Sequence, residues 1–475
     1  MGSTLIEKIL SDHSAIDLGD RRRLIYIDRI FLHERTGSIA LQSLQESGRQ
    51  VARPQQVFCT MDHIVDTFPG RGDETLMPSG TQFIQATRKE AHHAGIHLFD
   101  VRDENQGIAH VVAAEQGIAL PGLTLVCPDS HTCTLGGLGA LAWGIGSTEA
   151  EHALTTRTLE LRIAKTLRVN FEGTLGFGVT AKDMILHLIA QHGADGGAGY
   201  VVEFAGSAIR ALDVEQRMTL CNMAVEFSAV SGLIAPDEKT IDYVRDRPFS
   251  PRGEQWDKAV AYWQQLRSDD DAVFDREISI DVSTIAPAIS WGINPEQTIA
   301  VDASIPAPIG EKSAYMQKAI DYIKLKPGTP IAGTPIDAAF IGSCTNSRLS
   351  DLRAVAEFLQ DKHIAPGVAA VCVPGSTQVK RAAEAEGLHL IFQRAGFEWR
   401  ESGCSMCFYA GGETFGAGKR VVSTTNRNFE NRQGPGVKTH IASPLTVAAS
   451  AVAGAITDPR QMLTEQAPTR REHQL

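Results

Sequence analysis

Apolar runs of five or six residues alternate with longer amphipathic stretches along most of this chain, and that alternation leaves few folds open. LIYID (24–28), LTLVC (123–127), AAFIG (338–342) and VAAVCV (368–373) read as buried strands. TLRVNFEG (166–173) alternates Leu167, Val169 and Phe171, as a half-exposed strand does. Helical signals lie between the strands. Thr180 followed by Asp183 predicts a capping-box start, Met184, Ile185, Leu188 and Ile189 form one stripe, and Gly193 offers a stop. A second helix is predicted from Ser350, with Leu352, Val355, Ala356 and Leu359 on one face. Ser443 and Pro444 predict the cap and first turn of a third. Its apolar body, 444–456, is too short and too polar to span a bilayer, so a buried helix is expected. The class is α/β.

The 475 residues exceed one ordinary core, so two to four domains are expected. One joint is predicted near 160–166 and another in the Pro- and Gly-rich 285–335. GADGGAG (193–199) lacks the Lys-Ser/Thr of a phosphate loop and reads as a flexible turn. A net charge of −11 argues against a nucleic-acid partner, and no segment argues for a membrane. The first residues show no secretory pattern, so a cytoplasmic location is expected. In that compartment clustered cysteines mean metal or catalysis more often than cystine.

Of the eight cysteines, Cys404 and Cys407 form a C-x-x-C pair in SGCSMC (402–407). Their best third partner is Cys344 in IGSCTNS, which follows a predicted buried strand. Three thiolates are one short of a closed structural zinc site. They suit a [4Fe–4S] cluster with one iron left open as a Lewis acid, and on spacing alone zinc and cluster both stand. Cys59, Cys127, Cys133, Cys221 and Cys372 lie in or beside apolar runs and read as packing residues.

Dense polar clusters interrupt the apolar pattern: TMDHIVD (60–66), NQGIAH (105–110), PDSHT (128–132), CNMAVE (221–226) and NRNFENR (426–432). Asp129, Ser130 and His131 follow a predicted strand, a favoured place for chemistry in α/β folds. Arg427 and Arg432 read either as surface arginines or as a carboxylate clamp. His92, His93 and His97 sit on a charged stretch and read as solvated.

GSCTNS, GCSMC, MDH, DSHT, CNMAVE and NRNFENR, in the family's order nearly end to end, resemble the aconitase superfamily and its large-subunit branch most. The resemblance implies three α/β domains, placed at 1–165, 166–290 and 291–475, around a [4Fe–4S] cluster on Cys344, Cys404 and Cys407. It implies that the swivelling fourth domain, source of the catalytic base, is absent here and carried by a separate small subunit. The substrate it implies is a small hydroxy-dicarboxylate: 2-isopropylmalate and 3-isopropylmalate interconverted by dehydration and rehydration.

By the same resemblance His63 with Asp62 protonates the departing hydroxyl, and Asp129 and His131 hold the water or hydroxyl. His110 and Glu226 form a second imidazole–carboxylate pair. His33, Ser130, Asn222, Asn426, Arg427 and Arg432 are the expected substrate-side residues, with Asn222 and Asn426 close to the cluster. Pro128, Cys133, Asn431 and the CFYAGGE that starts at Cys407 depart from the usual pattern. They keep open a sister activity on citraconate, maleate or another 2-alkylmalate.

Overall fold

The computed structural model describes residues 2–462. Three parallel sheets carry the chain. In the first, β1 (Arg29–His33), β2 (Val57–Thr60), β3 (His97–Phe99), β4 (Thr124–Cys127) and β5 (Leu141–Gly144) stand in the order β3-β2-β1-β4-β5. In the second, β6 (Lys165–Glu172), β7 (Tyr200–Ala205), β8 (Ser231–Leu233) and β9 (Arg276–Asp281) stand as β8-β7-β6-β9. In the third, β10 (Ala338–Ile341), β11 (Ala369–Cys372), β12 (Glu398–Trp399), β13 (Arg420–Ser423) and β14 (Lys438–Ile441) stand as β12-β11-β10-β13-β14. Strand order reverses beside β1 and again beside β10. Such reversals open a crevice at the carboxyl ends of parallel strands.

Burial explains the strand sequences. β2, β4 and β10 are buried at every position, as sheets covered on both faces require. In β6, Leu167, Val169 and Phe171 are buried while Arg168 and Asn170 are only partly covered, which is the predicted alternation. The predicted helices form at Ala181–His192, Leu349–Leu359 and Pro444–Ala453. Thr180 and Asp183 make the capping box, and the chain leaves the helix at Gly193 with φ +82°. Met184, Ile185, Leu188 and Ile189 enter the core of the second sheet. Val447, Ala448 and Ala451 of the last helix are fully buried in the core of the third.

LIYID is a correction. Residues 22–26 form the middle of an antiparallel ribbon with Ser14–Gly19 and Thr158–Arg162, and only Ile25 in that strand is buried. The buried parallel strand starts three residues later, at Arg29, because the apolar run Ile30–Leu32 is the one covered on both faces. No helix among the described residues is long and apolar enough to cross a membrane.

Candidate active site

The carboxyl ends of the first and third sheets meet at one cavity of about 640 Å³. From the first sheet, β1 delivers His33, β2 leads to Asp62 and His63, and β4 leads to Asp129, Ser130 and His131, all of which line it. From the third, β10 leads to Cys344 and β12 to Cys404 and Cys407, while the loop after β13 brings Arg427 and Arg432. Residues up to 399 positions apart in sequence thus share one cavity because both sheets reverse their strand order there.

On the first side the polar groups form a continuous chain. Asp62 Oδ1 accepts from His63 Nδ1 at 2.6 Å, and His63 Nε2 reaches Asp129 Oδ2 at 3.2 Å. His110 Nε2 meets Asp129 Oδ1 at 3.0 Å, and the His131 amide caps the same oxygen at 2.7 Å. Burial opposes the charge on Asp129, but bonds from His110 and His63 hold its carboxyl well below the usual range. Burial likewise opposes charge on His63, yet the Asp62 carboxylate and its other anionic neighbours hold its pKa well above the ordinary value. The His33 ring stacks on His63 at 4.2 Å between centroids. Burial and the His63 charge push His33 down to about 4. Of the two stacked rings, His63 is the one whose surroundings favour the proton, and those of His33 oppose it.

The turn that presents this pair is held by Glu34, which sequence reasoning missed. Its carboxylate accepts the backbone N–H groups of Asp62 at 3.0 Å, His63 at 2.6 Å and Ile64 at 2.5 Å. A signal was present, since Glu34 is an acid directly after a buried strand. Lys182 was also missed. From the first turn of the 181–192 helix its Nζ donates to the carbonyls of Thr424 and Thr425 at 2.9 and 2.8 Å, fixing the segment that leads to Asn426 and Arg427. Burial lowers its pKa to about 7.

On the second side lie Cys344, Cys404 and Cys407, each 7% exposed. Asn222 Nδ2 donates to Cys344 Sγ at 3.2 Å and Asn426 Nδ2 at 3.4 Å, while Ser343 Oγ lies 3.1 Å from Cys407 Sγ. Ser343 and Ser405 take φ of +81° and +47°, left-handed turns that seat the cysteines beside them. Burial pushes the Cys344 thiol up to about 12 and Cys404 well above its ordinary value. The amide N–H groups of Asn222 and Asn426 aimed at Cys344 Sγ favour its thiolate form.

Among the described residues, the donor group gathered within 4.8 Å is His33, Glu34, Asp62 and His63, and it excludes the three cysteines. A single tetrahedral zinc, with Zn–S bonds of about 2.3 Å, would draw three thiolates to about 3.8 Å apart. Three thiols, with no fourth cysteine among the described residues that line the cavity, are one short of a closed structural zinc site and fit a group that keeps an open position.

Three expected placements change. His110 does not pair with Glu226: its partner is Asp129, because both lie beside the end of β4. Glu226 instead bonds His131 Nε2 at 2.8 Å and Arg427 Nε at 2.7 Å. Asn222 and Asn426 are fully buried behind Cys344 and do not line the cavity, so both support sulfur rather than face a substrate. Arg427 also donates to Ser130 Oγ at 3.0 Å, which commits it within the fold, whereas Arg432 makes no side-chain hydrogen bond or ion pair among the described residues. Cys59, Cys127, Cys133, Cys221 and Cys372 are buried packing residues, and His92, His93 and His97 are exposed.

The sequence profile of the aconitase family (aconitate hydratase) matches residues 7–454. The chain is 53% identical over 465 residues to the 3-isopropylmalate dehydratase large subunit 1 of Bradyrhizobium diazoefficiens, covering 97% of each. Among solved structures it aligns with aconitase X of Thermococcus kodakaraensis at a TM-score of 0.47 and 13% identity, covering 89% of each chain, a likeness too remote to bear weight.

Proposed function

The chain belongs to the aconitase family, and from that premise we propose that it is the large, cluster-bearing subunit of a 3-isopropylmalate dehydratase. The reaction is the interconversion of 2-isopropylmalate and 3-isopropylmalate in leucine biosynthesis, in the cytoplasm. The observation that carries this reading is the convergence of three buried thiols, a carboxylate-flanked imidazolium and an unpaired arginine on one cavity. Domains are placed at 1–165, 166–290 and 291–475; a large apolar core lies around each sheet, and the first also takes in Val214, Trp263 and Leu266 from the second segment.

Cys344, Cys404 and Cys407 would hold a [4Fe–4S] cluster, which when bound supplies a Lewis acid for a hydroxyl and a neighbouring carboxylate. Hydroxide is a poor leaving group, and His63 gives the departing oxygen its proton. Its looser contact, the one to Asp129 at 3.2 Å, is the one that opens toward substrate. Asp62, held by the Ala109 amide at 2.9 Å, keeps the imidazole charged and aimed. General-acid help of this kind is worth about 10²–10⁴-fold. His110 and His131 fix the Asp129 loop, and Arg432, with Arg427 beside it, receives a substrate carboxylate. His33, neutral and stacked on His63, offers its buried, unpartnered Nδ1 to the substrate side. The base that takes the carbon-bound proton comes from a separate small subunit carrying the swivelling domain.

The test is an assay of the anaerobically assembled complex with its small subunit. Turnover of 2-isopropylmalate, lost when either subunit is left out, is the expected result. No turnover of 2-isopropylmalate beside rapid hydration of citraconate or maleate would assign the chain to a sister hydro-lyase.

A further inference from the structure

Three arginines line the cavity, and one of them, Arg35, has been given no role so far. Arg427 is bonded to Glu226 and Ser130. Arg35 and Arg432 make no side-chain hydrogen bond or ion pair to any carboxylate among the described residues. Instead both guanidinium carbons lie over one ring, that of Phe408, at 4.8 and 4.5 Å from its centroid. Arg432 is 8% exposed and its Nε is buried without a partner. Two like charges gathered on one ring repel each other, and cation–π attraction to the ring does not neutralise them. An anion does.

We infer that Arg35 is a second substrate-carboxylate binder, which acts with Arg432 across the Phe408 ring. This rests on the proposed dehydratase reading and extends it to substrate recognition. The chain places Arg35 two residues after His33 at the end of β1, and Phe408 directly after Cys407. Residues from both sheets therefore close on the same anion, in the cavity that the committed Arg427 also lines. A dicarboxylate has one carboxylate for the reacting end and a second that needs its own cation. Ile39 and Phe83 line the same cavity, so the class of ligand is a dianion with an apolar branch. Phe408 touches both guanidiniums and is a positioning residue for the pair.

The experiment uses the assembled complex, with Arg35→Gln, Arg35→Lys and Phe408→Ala. With 2-isopropylmalate, Arg35→Gln should raise KM at least ten-fold with kcat changed less than three-fold, and Arg35→Lys should recover part of that loss. Phe408→Ala should raise KM in the same direction. Calorimetric binding of 2-isopropylmalate should weaken in step, while the melting temperature and iron content of Arg35→Gln stay at wild type, since the exposed Arg35 holds nothing else in the fold. A KM for Arg35→Gln within two-fold of wild type overturns the inference. If the wild type acts only on citraconate or maleate, the substrate assignment fails, and Arg35 is judged by the same ten-fold criterion on that substrate. Activity on none of the three overturns both.

Discussion

On the cavity wall built by the first sheet, imidazoles and carboxylates answer one another: Asp62, His63, Asp129 and His110 form one bonded chain, and Glu34 pins its turn. On the wall built by the third sheet, Arg432 has no partner of opposite charge among the described residues, and three buried thiols gather on the same cavity. Both walls use the same device, the carboxyl ends of parallel strands at a reversal of order. The first balances its charges with its own side chains and is ordered for proton transfer before any ligand arrives. On the proposed reading, the second leaves its sulfur valences and its positive charge to be completed from outside, by an inorganic group and an anionic substrate. Division of labour follows from which residues each sheet sends to the same place.

Removing sulfur should break this contrast most severely. Cys404→Ser is expected to lose bound iron and sulfide and to bring activity to background in the assembled complex, while the fold of the first sheet persists. Removing the proton should act on the other wall alone. His63→Gln should lower kcat by about 10²–10⁴-fold while iron and sulfide content stay at wild type. Loss of iron in that variant would mean that the walls are not separable.

A smaller effect is expected at Asp62, and its sign follows from the His63 pKa. In the proposed mechanism His63 works as an acid and must be protonated. Its pKa is raised, with the Asp62 carboxylate the foremost raising neighbour, so activity should persist above the ordinary imidazole range and fall only as pH rises through the raised value. Asp62→Asn removes that carboxylate and should move the alkaline limb of the kcat profile to lower pH, each unit costing about ten-fold above the new limb. An unmoved limb would assign the titration to another group. The mildest change is Asn222→Ala, which deletes the 3.2 Å amide contact to Cys344 Sγ. It should speed loss of the cluster on exposure to air, in keeping with about 1 kcal/mol for one hydrogen bond, and leave KM near wild type.

Much of this was legible in the sequence, for reasons that differ by residue. The 181–192 helix carries its own capping box and stripe, and the 444–453 helix opens on Pro444 and is apolar nearly all round, so local physics sufficed although Ser443 makes no capping bond. Cys344 and the DSHT segment stood out because they followed predicted strand ends, Cys404 and Cys407 by their C-x-x-C spacing, and MDH as a polar cluster within apolar sequence. LIYID misled because apolar residues on an antiparallel ribbon and on a covered parallel strand look alike over five positions, and the covered strand lay just beyond it. Partners were the harder matter. Whether Glu226 meets His110 or His131 depends on how the 225–227 turn packs against the loop after β4, which no local pattern encodes. Arg35 and Phe408 lie 373 positions apart, and neither stretch signals the other.

The account turns on an iron–sulfur group resting on Cys344, Cys404 and Cys407, and quantitation of metal and acid-labile sulfide in the anaerobically purified chain tests it most directly. It predicts about four irons and four sulfides per chain, both abolished by Cys404→Ser. Stoichiometric zinc without labile sulfide, or iron and sulfide that survive that substitution, would contradict it.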